Sequence, residues 1–144
     1  ILQPQFQMPK NLEWRRVRDE PLVVLAPAAL PETDPHQLLR AHPLICYDRK
    51  LWSGQLAANY FRQHSIRPKI RIETASIEVI ALLVSHGLGV SLVPDGAGEL
   101  PANSGLRKIA LPGNEHFRSV GLLWNRQSVR AALIEEIYEI ARTG

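Results

Sequence analysis

Apolar and polar positions alternate with changing period along this chain, and the period names the elements. Leu22 to Ala26 is a β-branched apolar run held between Pro21 and Pro27, the pattern of a buried strand. The twenty residues before it are polar and proline-spotted and carry no such run. Between Ala28 and Pro43, prolines punctuate a connection whose helical piece is His36 to Arg40, with Pro35 in the first turn and Asp34 as cap. Leu44 to Tyr47 is a second short apolar strand. A helix follows from Ser53, expected as its cap, to about His64, with Leu56, Ala57, Tyr60 and Phe61 on one face.

The most organised stretch is ETASIEVIALLVSHGLGVSLVP, residues 73–94. The alternating strand Lys69 to Glu73 leads into it. Ser76 then opens a helix, and Glu78 sits in its first turn, where the positive end of the helix dipole favours a carboxylate. From Ile77 to Val84 that helix is apolar nearly all round, so cover on most sides is expected. Gly87 can take the left-handed conformation that closes it, with Leu88 folding back. Gly89 to Val93 reads as a strand, and Pro94, lacking an N–H, stops it. Strand, helix, strand, helix, strand at these lengths implies parallel pairing with right-handed crossovers. Asp95 to Gly105 reads as a loop, Leu106 to Leu111 and Val120 to Trp124 as strands. Ser128 opens a last helix through Ala141, with Leu133, Ile137, Ile140 and Ala141 expected on its core side.

Composition narrows the class without naming a function. At 144 residues, 45% apolar and 22% charged, the chain is one ordinary domain or two small lobes. No apolar run reaches the roughly 20 residues that span a bilayer, so no membrane is expected. The first residues lack the signature of a secretory signal, and the absence of an initial Met suggests a piece of a longer protein; a cytoplasmic location is expected. Cys46, the single cysteine, reads as a small buried apolar side chain. The net charge of +3 is spread along the chain. Its densest basic segment, Trp14-Arg15-Arg16-Val17-Arg18, is followed at once by Asp19 and Glu20 and reads as a solvated surface rather than a nucleic-acid contact.

Ligands of open parallel sheets bind beyond the carboxyl ends of the strands. Three such ends release Tyr47 to Ser53, Thr74 to Ser76 and Pro94 to Gly96 on one edge. Helix starts at Ser53 and Ser76, with Arg49 or Lys50 nearby, predict a cleft that tolerates carboxylate or phosphate. Ser53 and Ser76 read equally as plain caps, Arg49 as half of a surface ion pair, and Trp52 as cover for the sheet edge. Catalytic patterns are missing: there is no G-x-S-x-G elbow, and His36, His42, His64, His86 and His116 are scattered without a metal-ligand spacing. No catalytic residue, metal or cofactor is expected. His86 reads as a charge at a helix end, and Glu135, Glu136 and Glu139 as a solvated face.

Residues 73–94 closely resemble the motif of the effector-binding domain of LysR-type transcriptional regulators: a Glu-x-x-Ser turn, an apolar helix ending in Gly-x-Gly, and a Val-Ser-Leu-Val-Pro strand. Leu12 to Ala26 looks like that family's first crossover strand, Pro43-Leu44-Ile45 like the opening of its second lobe, and Gly121 to Trp124 with the last helix like its return to the first. The resemblance implies an α/β, periplasmic-binding-protein-like (type 2) fold of two lobes with mixed, mainly parallel sheets and a small-molecule site between the lobes. It implies a second lobe over 27–98 and a partial first lobe over 1–26 and 99–144. Effector contacts would fall on Asp48, Arg49, Trp52, Ser53, Ala75, Ser76, Pro94 and Asp95. The implied partners are a small, anionic or aromatic effector, DNA through a winged helix-turn-helix outside these residues, and further copies (a dimer of this domain, a tetramer of the full protein). A transport-type solute-binding protein, an enzyme on the same architecture and a pure dimerisation module are the rival expectations.

Overall fold

A computed structural model describes residues 1–96, 103–113 and 115–144. In chain order the elements are β1 (Leu12–Pro27), α1 (Pro35–Ala41), β2 (Pro43–Tyr47), α2 (Trp52–Gln63), β3 (Lys69–Thr74), α3 (Ile77–Ser85), β4 (Ser91–Pro94), β5 (Leu106–Ala110), β6 (Phe117–Asn125) and α4 (Ala131–Thr143). The chain forms two units, one of residues 1–20 with 118–144 and one of residues 21–117. The expected lobe boundary at 98/99, and most of the expected loop Asp95 to Gly105, lie outside the described residues.

The larger unit is built on a mixed sheet. β2 and β3 run parallel. A parallel bridge from Leu44 to Val90, with Ile45 N–H donating to Val90 O (2.8 Å) and Val90 N–H to Pro43 O (2.9 Å), brings β4 alongside β2. The three strands of the expected parallel set are therefore present. Beyond them, β1 pairs antiparallel with both β4 and β5, a long-range pairing that local crossover patterns do not reveal. Period two then sorts the side chains. Leu22, Val24, Ala26, Leu44, Cys46 and Leu92 face a core completed by Leu38 and Leu39 of α1 and by Ala57, Tyr60 and Phe61 of α2. Val23, Leu25, Ile45 and Val93 face the opposite way, onto Ile80 and Val84 of α3. Helices thus cover both faces. Each fully buried aliphatic side chain contributes roughly 1.5–3 kcal/mol.

The local signals that place these elements are physical. The Asp34 carboxylate accepts from the N–H groups of His36 and Gln37 and starts α1 as expected. Ser76 Oγ accepts from Val79 N–H and caps α3. Gly87 takes φ +75°, and the Gly87 and Leu88 N–H groups close the helix on Val84 O and Leu83 O. Gly89 is required for a different reason: a Cβ there would lie 2.3 Å from Pro43 O, so only glycine lets β4 approach β2.

Two expectations change here. Among the described residues of this chain α3 is covered on one side only, and the expected further cover, by a neighbouring helix or subunit, does not come from its own helices: Ile80 and Val84 are buried, whereas Ile77, Val79 and Leu82 are exposed, Leu82 by 57%. One sheet face covers one helical stripe and no more. Ser53 does not cap α2 either. The cap position is Leu51, without a side-chain bond, and Ser53 is a buried residue of the first turn.

In the smaller unit, β1 begins ten residues before the expected strand, because its polar half lacks the apolar alternation that would announce it. That half pairs with β6. Among the described residues, no hydrophobic side chain of this unit is fully buried; its buried side chains are Glu20 and Ser119. Glu20 is held by Arg118 Nε at 2.5 Å and by Arg18 at 2.7 Å. Arg16 pairs with Asp19, and Arg15 pairs with Glu135 while lying over the rings of Trp124 and Tyr138. The basic segment is therefore neutralised within the unit. Glu135 is correspondingly an ion-pair partner rather than part of a purely solvated face. α4 starts at Ala131, not Ser128, and its phase differs from expectation. Ile134, Tyr138 and Ala141 are half-buried, with Tyr138 OH donating to Arg16 O, while Leu133, Ile137 and Ile140 are exposed. The Tyr138 and Glu135 bonds fix the inward side, and the more apolar stripe faces out.

Candidate functional site

All eight predicted contact residues lie at or just beyond the carboxyl ends of β2, β3 and β4: Trp52 and Ser53 in the first turn of α2, Pro94 at the end of β4, and the other five in the connecting loops. At the end of β2, Asp48 N–H donates to Thr74 O (3.0 Å), which ties the first loop to the second at the strand exits. The Asp48 carboxylate accepts from Lys50 N–H (2.9 Å) and its carbonyl from Leu51 N–H (3.0 Å), a tight turn that delivers the chain into α2. Trp52 and Ser53 form the first turn of that helix, half-buried and buried respectively. Gly54 comes next and is pressed against the turn: a Cβ there would lie 2.0 Å from Asp48 O and 2.8 Å from Tyr47 O. Sequence reasoning missed this residue, although a glycine in the first turn of a helix directly after a strand end was the available signal.

Arg49 projects from the first loop onto Glu73, with Nε 2.9 Å from Oε2, so the surface-pair alternative describes its ground state. In the second loop Ser76 N–H donates to Thr74 Oγ1 (3.3 Å), and Ser76 Oγ donates to Glu78 Oε2 (2.8 Å) while accepting from Val79 N–H (3.2 Å). Ser76 is thus a working cap with both hydroxyl roles filled. Glu78 is held below the usual carboxylate range by the Ser76 hydroxyl and by its own backbone N–H. The positive start of α3 already carries a carboxylate, supplied by the chain itself.

In the third loop Asp95 N–H donates to Pro21 O (2.7 Å), and its carboxylate pairs with Lys108 Nζ at 2.6 Å. Pro94 and Asp95 border a cavity of about 260 Å3, walled by Val23, Leu25, Ile77 and Leu106, with the Asp95–Lys108 pair on it. Ile77, the first residue of α3, follows Ser76 directly, but Ala75 and Ser76 themselves do not line this cavity. The first loop does not line it; Arg49 opens instead onto a groove beside α2. The structure thus ties the first loop to the second through the Asp48–Thr74 bond and sets Pro94 and Asp95 on a separate cavity. Chemically the arrangement offers apolar walls, backbone ends and two acid–base pairs. Among the described residues, no group of three or more His, Cys, Asp or Glu could hold a metal ion. Burial pushes the Cys46 thiol up, which disfavours the reactive thiolate.

Comparison with known proteins gives consistent matches. The sequence matches the family described as the LysR substrate binding domain over residues 1–144. It is 30% identical over 134 residues to the HTH-type transcriptional regulator IlvR of Caulobacter vibrioides, a match covering 90% of this chain and 45% of that regulator. The chain thus spans about half the length of the curated relative it matches. The reduced regulatory domain of OxyR from Pseudomonas aeruginosa superimposes with a TM-score of 0.75 at 24% identity, covering 100% of this chain and 71% of that one. The CcmR regulatory domain of Synechocystis PCC6803, solved in complex with 2-PG, gives 0.72 at 19% identity, covering 95% and 69%.

Proposed function

We propose a function from one premise: the chain belongs to the LysR substrate binding domain family and has the mixed-sheet α/β fold, periplasmic-binding-protein-like (type 2), of that family's regulatory domains. Within that family the chain is the substrate-binding part of a transcriptional regulator, and the transport-type alternative is not favoured. On our reading the carboxyl edge of the larger unit's sheet receives a small anionic or aromatic effector. The contacts are Asp48, Arg49, Trp52, Ser53, Ala75, Ser76, Pro94 and Asp95. The observation that carries this is the convergence of three strand exits, with Asp48 N–H bonded to Thr74 O and Ile77, Pro94 and Asp95 sharing one cavity. Apolar walls suit a ring or short chain, and Arg49 and Lys108 suit a carboxylate. That the CcmR regulatory domain was solved with 2-PG supports a small-molecule role for the same fold.

The effector acts by binding one arrangement of the protein more tightly than another, the sole way a ligand shifts an equilibrium. The lobe assignment, 27–98 against 1–26 with 99–144, belongs to this reading. So do DNA contact through a helix-turn-helix outside these residues, assembly into dimers and tetramers, a cytoplasmic location and the absence of catalysis. Among the described residues no helix is long and apolar enough to cross a membrane.

Thermal titration of the intact regulator with carboxylates and aromatic acids tests the effector class. A ligand at a hundred times its Kd stabilises by about 2.7 kcal/mol, a rise of roughly 5–10 °C in Tm for a domain of this size. The rise should shrink in Lys108→Gln and Arg49→Gln variants, which remove the cations that suit a carboxylate. No rise with any acid, beside a rise with a neutral solute, would sink the anionic reading.

A further inference from the structure

Beside the first loop, which reaches it through Arg49, the larger unit carries a second cavity of about 320 Å3 between α2 and the β2–β3 pair. Its walls are apolar: Leu44 and Cys46 from β2, Phe61 from α2, Ile66 and Pro68 from the following connection, and Ile70 from β3. Leu44, Cys46, Phe61 and Ile66 are buried, whereas Ile70 is left 44% exposed at the open side. Its charged lining residues are all of one sign, namely Arg49, Arg62 and Arg67. Arg49 is engaged by Glu73, and Arg62 donates to the Asn59 side chain. Arg67 has no hydrogen-bond or ion-pair partner among the described residues, and no carboxylate lines the cavity. An apolar floor under unneutralised guanidinium groups is the inverse image of an amphipathic acid. Guanidinium groups recognise carboxylates through paired N–H donors, and an apolar tail gains by leaving water.

We propose that this cavity is a second ligand site, distinct from the strand-exit site, for a small amphipathic carboxylate: its tail lies on Phe61, Ile66 and Ile70, and its head meets Arg67 and Arg62. The volume stands at the low end of the range of small-molecule pockets, roughly 300–1,000 Å3, which sets the size class. Apart from Arg49, none of the eight strand-exit residues lines it. Occupancy would brace α2 against β3, the strand whose outer edge has no strand partner among the described residues. A site here therefore binds on the element that carries Trp52 and Ser53.

Octanoate is the probe, and the chain's single thiol is the reporter, because Cys46 lies in the cavity wall. Calorimetry should show octanoate binding to the 144-residue chain, and saturating octanoate should slow the reaction of Cys46 with the neutral reagent 4,4′-dithiodipyridine. Octan-1-ol, lacking the charge, should bind roughly tenfold more weakly, and Arg67→Gln and Arg62→Gln should each weaken octanoate by a similar factor, the size of one charge-assisted bond. Ser76→Ala and Asp95→Asn should leave octanoate binding unchanged, which separates this site from the strand-exit site. The proposal is overturned by any of three results: no octanoate heat, binding that leaves the Cys46 rate unaltered, or both arginine variants binding octanoate as tightly as the parent chain.

Discussion

Gly54→Ala pits two effects of opposite sign against each other, and the structure decides between them. Position 54 lies in the first turn of α2. On helix propensity alone, replacing glycine by alanine in a helix stabilises by about 1 kcal/mol. The added Cβ, however, would lie 2.0 Å from Asp48 O, 2.5 Å from Asp48 C and 2.8 Å from Tyr47 O, where real Cβ contacts stay beyond 3.0 Å. All three atoms are backbone, so no side chain can swing away. Relief requires the turn carrying Asp48 and Arg49 to move by about 1 Å, against the Leu51 N–H to Asp48 O and Asp48 N–H to Thr74 O bonds. Overpacking of this kind costs typically 1–3 kcal/mol. With one of those bonds also weakened by about 1 kcal/mol, the net is a loss of roughly 1–3 kcal/mol where propensity predicts a gain. Urea unfolding of Gly54→Ala beside Ala58→Gly, which calibrates propensity in the same helix, measures it. The displaced turn should also lower effector affinity. A Gly54→Ala chain more stable than its parent by about 1 kcal/mol would refute the steric argument and free the first loop from its packing role.

Three further outcomes follow from named contacts. Glu20→Gln removes the buried charge between Arg118 and Arg18 and should cost about 3 kcal/mol, because Arg118 is itself mostly buried, whereas Arg18→Gln at the half-exposed partner should cost at most about 1 kcal/mol; chemical unfolding followed through Trp14 and Trp124 in a Trp52→Phe background reads the unit that holds them. His36 is held below its ordinary pKa by burial first, then by His64 and Arg40 against the opposing Asp34, and its ring bonds Tyr60 OH at 2.6 Å with His64 and His116 also packed around Tyr60. A depressed histidine means that the unfolded chain binds the extra proton, so stability is complete above about pH 6.5 and falls as the pH drops through the folded value; His36→Gln should flatten that part of a Tm-against-pH curve. Asp34→Ala removes the acceptor for two N–H groups of α1 and should cost about 1 kcal/mol in urea unfolding.

The elements that could be read from the sequence are those whose cause is local. The α1 cap at Asp34, the αL closure at Gly87 and the buried apolar run Leu22 to Ala26 depend on residues a few positions apart, and each stands where the pattern put it. What the sequence hid depends on distant partners. The polar half of β1 is a strand because β6 pairs with it, which no run of charged residues announces. The phase of α4 is set by Tyr138 and Glu135 bonding to residues about 120 positions away, so the more apolar stripe is not the inward one. Ser53 fits a capping pattern, yet α2 is capped two residues earlier, at Leu51, with Gly54 packed on the preceding turn and Ser53 buried instead. The strand exits themselves were legible; the partners waiting at each of them were not.

Those partners bear on what an effector would meet. At three basic or dipolar features of the strand-exit edge the chain has placed an acid of its own: Glu73 on Arg49, Asp95 on Lys108, Glu78 at the start of α3. An anionic effector therefore exchanges partners rather than filling a bare charge. The exchange costs little at Arg49, because exposed pairs contribute about 0–1 kcal/mol and both members are rehydrated easily. It costs more at the start of α3, where Glu78 is also fixed by the Ser76 hydroxyl and by its own backbone. On the proposed reading, Arg49 and Lys108 are then the groups that release their carboxylates, and Ser76 with Glu78 remains a fixed wall. Each released carboxylate, Glu73 on β3 and Asp95 beyond β4, changes its bonds when ligand arrives, so binding alters contacts on two strands at once. That is the differential contact that a sensor requires if a ligand is to bias one arrangement over another.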